Sequence, residues 1–194
     1  GETTQSITVN QSGDYWVQTC GSDVGEVLVY ENDFEGFLGS EWSNTTSMNY
    51  NGSSVLGNFG NYTTSLNLTN LPSHTSLKAV FDLYLLDSWD GNSDPDLWDI
   101  SIDGTSVLNT TFLNVDPGLG LQQSYPGNYP SNNPAFTGAS QFGLPNICWT
   151  GMSSVSSLYK IALPYTAHTG NSANISFSAS GLESSCNESW AIDS

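Results

Sequence analysis

The sequence predicts an all-β protein built as an antiparallel β-sandwich. Three observations carry this expectation. Apolar and polar residues alternate over short stretches, as in Trp98-Asp99-Ile100-Ser101-Ile102; clusters of Gly, Asn, Asp, Pro and Ser separate those stretches; and no segment sustains a 3.6-residue period.

Strands are expected over residues 6–9, 14–19, 26–34, 53–56, 64–68, 77–86, 97–102, 106–112, 158–165, 174–179 and 189–192. Such a set exceeds a minimal immunoglobulin domain and suits a jelly-roll or lectin-like antiparallel sandwich with an N-terminal strand extension. Residues 1–30 form that extension, a candidate donor strand between subunits, and residues 31–194 form the sandwich. In Leu66-Asn67-Leu68 the apolar residues flank a polar one, which marks a strand with one solvated face. Residues 77–86 are apolar on both faces, so this strand is expected at the centre of the sandwich. In 97–102, Trp98, Ile100 and Ile102 point inward, and Asp103-Gly104 is a two-residue hairpin signal. Residues 114–151, rich in Pro, Gly, Asn and Ser, read as a long ordered surface excursion.

Charge restricts function. Two Lys+Arg stand against 19 Asp+Glu, a formal net charge of −17. Nothing here could neutralise a row of phosphates, so nucleic acid is excluded as a partner, and an anionic membrane surface for the same reason. No apolar run approaches the roughly 18 residues of a membrane span and no leader is evident, so the chain reads as mature and soluble. A surface of Ser, Thr, Asn and Gly is a secreted style of surface. Of three cysteines, Cys148 and Cys186 are the preferred pair, leaving Cys20 free, buried or bonded to another chain; three reduced cysteines are the alternative.

The loop after the central strand, Asp87-Ser88-Trp89-Asp90-Gly91-Asn92-Ser93-Asp94-Pro95-Asp96, concentrates carboxylates with no basic residue nearby. Converging carboxylates repel, and a hard cation with oxygen ligands relieves the repulsion. Calcium is expected, held by Asp87, Asp90, Asn92, Asp94 and Asp96. Zinc would want His or Cys, and nothing suggests the strict octahedral cage of magnesium. The loop is not an EF-hand, because Gly91 falls at the second place, Pro95 at the sixth, and no helices flank it. The alternative is that these aspartates are ordinary turn formers.

Two resemblances follow from longer stretches. Residues 5–20, with Ile7-Thr8-Val9, Ser12-Gly13 and Tyr15-Trp16-Val17 leading to Cys20, resemble the last hairpin of immunoglobulin-like repeats in large bacterial surface adhesins. Residues 31–193 resemble a calcium-binding jelly-roll or concanavalin-like module of large secreted and cell-surface proteins. That likeness rests on Glu31-Asn32-Asp33-Phe34-Glu35-Gly36, the stretch from Phe81 to Asn92, Asn133-Pro134-Ala135-Phe136-Thr137-Gly138 and Glu188-Ser189-Trp190-Ala191-Ile192-Asp193. It implies an extracellular, repeat-array setting. If the first strand (Asp33, Phe34, Glu35) pairs with the last, as in many such sandwiches, Asp33, Glu35, Glu188 and Asp193 gather into a second cation site.

Asn-x-Ser/Thr acceptors occur at Asn10, Asn44, Asn51, Asn61, Asn67, Asn109, Asn174 and Asn187, and N-glycans are expected on several. No nucleophile elbow, His-Glu-x-x-His or phosphate loop is present, so no catalysis is expected. His74 and His168 read as solvated turn residues. Two functions remain: a calcium-stabilised structural or adhesive glycoprotein that self-associates into a filament or surface array, and a calcium-dependent carbohydrate-binding module whose Trp89, with Trp98 or Tyr125 and Tyr129, stacks on sugar.

Overall fold

The computed structural model describes residues 16–21, 24–115, 117–148, 153 and 155–194, without the side chains of residues 16–21, 24 and 117. The strand expected over residues 6–9 and the acceptor Asn10 lie outside the described residues, as does the side chain of Cys20.

The chain is all-β. Its strands are β1 (Trp16–Gly21), β2 (Val24–Tyr30), β3 (Ser47–Tyr50), β4 (Ser53–Phe59), β5 (Thr63–Thr69), β6 (Ser76–Asp87), β7 (Leu97–Ile102), β8 (Thr105–Thr111), β9 (Gln122–Gln123), β10 (Asn133–Pro134), β11 (Gln141–Leu144), β12 (Ser156–Ala162), β13 (Thr166–Ala167), β14 (Ser172–Ser180) and β15 (Glu188–Asp193). A short 3-10 turn spans Pro117–Leu119. Among the described residues, the larger sheet runs β11-β12-β6-β15-β4-β3, with β1 and β13 also on β6 and β2 on β1. The smaller sheet runs β5-β14-β7-β8, and every pairing is antiparallel.

The sheets pack face to face because each inner face is apolar at every second position. Leu83 and Leu85 of β6, Leu56 of β4 and Ile192 of β15 meet Trp98 and Ile100 of β7 and Ile175 and Phe177 of β14 in one core. The expected central strand is β6, whose last seven residues are all buried. Its outward residues are covered too: Tyr84 and Leu86 join Tyr50, Val55, Leu158 and Ala191 in a second cluster on the outer face. The segment before Cys148 lies over this cluster, with the Tyr50 hydroxyl donating to the Pro145 carbonyl at 2.6 Å. The disulfide is Cys148–Cys186, with Cα atoms 5.2 Å apart.

Both lysines sit inside the larger sheet. Lys78 of β6 lies over the Tyr165 ring, 5.4 Å from its centroid, and Lys160 of β12 pairs with Asp82 of β6 at 2.7 Å.

One expected strand is a turn. Residues 33–35 belong to no strand, and in the larger sheet β15 lies between β6 and β4 instead. Asn32 Oδ1 accepts from the Phe34 N–H at 2.8 Å and Asp33 Oδ1 from the Glu35 N–H at 3.2 Å, and Phe34 has φ 53°. Side chains that satisfy their own following backbone compete with a sheet ladder.

Candidate functional site

The acidic loop leaves the buried end of β6 and enters β7, beside the start of β15. Antiparallel register sets Glu188 directly opposite Asp87, and this brings a carboxylate distant in sequence to the loop. Ligand oxygens of Asp90, Asp96 and Glu188 all lie within 4.8 Å of one another. Asp96 is 3% exposed and Glu188 0%.

Each carboxylate feels that confinement. Desolvation first, then Asp90, Glu183 and Asp94 nearby, pushes Asp96 up to about 7, although the Asp90 N–H donates to its Oδ2 at 2.8 Å. Asp90 is raised, mainly by desolvation and then by Glu183 and Asp94. Glu188 is pushed up to about 8, by desolvation first and then by its hydrogen bond with Glu183. Glu183 is lowered, by its side-chain hydrogen bond with Glu188 first and then by that with Asn187. Glu188 Oε2 accepts from the Glu183 N–H at 2.9 Å, while its buried Oε1 has no hydrogen-bond partner. Neither lysine approaches the cluster, one lying over Tyr165 and the other on Asp82.

Gly181 closes one side of the loop. Its φ is +99°, and a Cβ there would run into the Pro95 carbonyl beside Asp96, so the backbone approach depends on glycine. On another side the Ser88 N–H donates to the Asn187 carbonyl at 2.9 Å, next to the Cys186 anchor.

The other residues expected as ligands go elsewhere. Asp87 Oδ1 accepts from the N–H groups of Ile147 at 3.0 Å and Cys148 at 3.4 Å, holding down the segment over the outer face. Asn92 faces the long loop, donating to the Ser131 carbonyl at 2.7 Å and accepting from the hydroxyls of Thr111 and Ser124. Asp94 is exposed and acts on Asp90 and Asp96 only through charge.

The four-residue second site does not form. Glu188 and Asp193 are an odd number of places apart on β15 and point to opposite faces of the sheet, as the placement of Trp190 and Ile192 in the inner core and Ala191 in the outer cluster confirms. Asp193 shares the outer face with Asp82 and Glu35, which help desolvation raise it. Glu35 accepts from the Ser54 N–H at 2.7 Å and the Ser53 hydroxyl at 3.1 Å, and is lowered by those bonds. Asp33 is used in its turn.

The aromatic rings named for sugar stacking are largely committed to packing. Trp89 and Trp98 are fully buried, and Trp89 donates its indole N–H to the Ser189 carbonyl at 3.0 Å. Tyr125 is half-buried, stacked on Phe112 at 5.0 Å; Tyr129 is exposed. The acceptor asparagines are mostly hydrogen-bonded: Asn44 to Tyr62, Asn61 to Leu182, Asn67 to Asn174, Asn109 to Asp99 and Asn187 to Glu183. Asn51 is exposed at the β3–β4 turn.

Glu183 escaped the sequence reading, and so did the union of Glu188 with the loop. The adjacency of β15 and β6 would have revealed both, but that is a property of strand order. Among the described residues no helix is long and apolar enough to cross a membrane. No family model matches the chain, and no curated protein matches it.

Proposed function

We propose that this is an extracellular structural or adhesive β-sandwich stabilised by calcium at Asp90, Asp96 and Glu188. The observation that carries the reading is the convergence of three carboxylates, those of Asp96 and Glu188 buried and that of Asp90 half-buried, with the Glu188 Oε1 left unpartnered. An all-oxygen donor set suits a hard cation rather than zinc or copper. Asp94 and Glu183 add negative charge close by. The disulfide and a surface built on Asn, Ser and Thr support an oxidising, extracellular setting, in which N-glycans are expected, with Asn51 an exposed acceptor at a strand turn.

The sandwich contains its own reporter, since Trp89, Trp98 and Trp190 each lie within two residues of a cluster carboxylate and are fully buried. Terbium added to chelator-treated protein should luminesce under tryptophan excitation, and calcium should quench it by displacement. Calcium at a hundred times its Kd should stabilise the fold by about 2.7 kcal/mol. Loss of both responses in Glu188→Gln supports the site; absence of both in the parent protein ends the reading.

Self-association through the N-terminal segment belongs to this proposal. β15 pairs with residues 82–87 of β6, and β1 takes residues 77–80 on the same side, a slot that a strand from another copy could fill by β-addition. Chain lacking residues 1–21 should run as smaller species than the full chain in size-exclusion chromatography; identical profiles would count against strand exchange.

A further inference from the structure

We propose that His74, His168 and Asp103 form a proton-held clip closing one end of the sandwich, a hydrogen-bonded chain that requires one proton more than two neutral imidazoles and a carboxylate supply. His74 is 5% exposed, and the His168 side chain is 7% exposed. Neither is the solvated turn residue that its sequence context suggests.

Three contacts define the chain. His74 Nδ1 lies 2.6 Å from the Pro72 carbonyl oxygen, His74 Nε2 lies 2.6 Å from His168 Nδ1, and His168 Nε2 lies 3.0 Å from Asp103 Oδ2. The rings are only 9° from parallel with centroids 4.9 Å apart, the spacing of rings joined edge to edge by an in-plane N–H···N bond. Each contact needs one hydrogen. A carbonyl only accepts, so His74 Nδ1 carries a hydrogen; a second lies between the rings; a third lies between His168 and Asp103. Two neutral imidazoles bring two. The third comes from solution. Asp103 is 49% exposed at its side chain, and its Oδ1 accepts from the Asn174 N–H at 2.8 Å; with both its oxygens taken as acceptors, the third hydrogen belongs to the imidazole pair.

The clip joins three connections. His74 lies in the passage from β5 to β6 and His168 in the passage from β13 to β14, the two places where the chain changes sheet at this end. Asp103 lies in the β7–β8 turn, with φ 49°, followed by Gly104 with φ 76°. Backbone bonds reinforce it, from the His168 N–H to the Thr75 carbonyl at 3.1 Å and from the Asp103 N–H to the Asn174 carbonyl at 2.8 Å. The other charged groups on the packed strands are committed: Lys78 and Lys160 of the larger sheet lie over Tyr165 and on Asp82, and Asp99 of β7 accepts from Ser106 and Asn109. Gly170 lies against the His168 ring, where a Cβ would come within 3.2 Å of Cε1.

The consequence is a fold end secured while the proton is held and loosened when alkali removes it. Asp103→Asn is the sharp test, because an amide can accept from Asn174 and donate to a neutral His168, so the chain closes without the extra proton. Imidazole nitrogen NMR at pH 7.5 should show three ring N–H groups across the pair in the parent protein and two in Asp103→Asn. Urea unfolding between pH 7 and pH 9 should show the parent's unfolding constant rising relative to the variant's by up to tenfold per pH unit, the slope of one released proton. Two N–H groups in the parent, or parallel pH profiles, would overturn the proposal. Should Asp103→Asn fail to fold, the ring N–H count in the parent protein decides alone, since two N–H groups there overturn the proposal without any variant.

Discussion

Stripped of divalent cations, the protein should lose on the order of 4 kcal/mol of stability between pH 5 and pH 9, and excess calcium should abolish most of that loss. Asp96 and Glu188 titrate near about 7 and about 8 in the fold, against roughly 4 for the same groups in an unfolded chain. Folding therefore takes up protons in this range. The stability these groups contribute is complete below about pH 4 and disappears as pH rises through their folded values. A three-unit shift corresponds to about 4 kcal/mol for one group, and the two contributions do not add in full because the carboxylates sense each other across less than 4.8 Å. Calcium at the proposed site would replace the protons as counter-charge, and the loaded protein should then keep its stability at high pH. Urea midpoints at intervals of pH, with chelator and with calcium, check this. A flat profile in chelator would mean that the cluster is more hydrated than its burial implies.

Replacing Gln123 with Leu should cost at least about 4 kcal/mol, read as a lower urea midpoint with an unchanged slope. The long excursion between β8 and β12 carries little regular structure, yet it is ordered because a few buried amides satisfy its backbone. Gln123 is fully buried. Its Oε1 accepts from the N–H groups of Leu113 at 3.2 Å and Phe136 at 3.1 Å and from the Tyr159 hydroxyl at 3.2 Å. Its Nε2 donates to the carbonyls of Tyr125 at 3.2 Å and Thr137 at 3.0 Å. Leucine has nearly the same volume, so the cavity contribution is small and the loss comes from orphaned partners, each worth about 1 to 3 kcal/mol when left buried. A midpoint close to that of the parent would mean that water enters and rescues them.

Alternation was a reliable guide wherever a strand has one wet face. β7 matches its expected bounds to the residue, and β5, β6, β8 and β14 do so to within a residue or two. β3 escaped because Ser47-Met48-Asn49-Tyr50 is short and mostly exposed at a sheet edge, and Asp33-Phe34-Glu35 misled because its side-chain caps imitate a strand's polar and apolar rhythm. The site was half legible. Residue types revealed an acidic loop, and the apolar strands on either side located it at a sheet end. Which of its carboxylates converge depends on strand order: Asp90 and Asp96 meet Glu188 only because β15 lies beside β6. The histidines show the same limit, since His74 and His168 are 94 residues apart and acquire each other only through the two sheet crossings.

The lysine placement has a practical outcome. A protease that cuts after lysine and arginine has two bonds to find in the whole chain, beside Lys78 and Lys160. Both lie within ladders of the larger sheet, Lys78 in β6 opposite residue 18 of β1 and Lys160 in β12 opposite Asp82 of β6. Neither can enter a protease cleft until its strand leaves the sheet. Digestion by trypsin is therefore a clock for opening of the central sheet, blind to fraying of loops and ends.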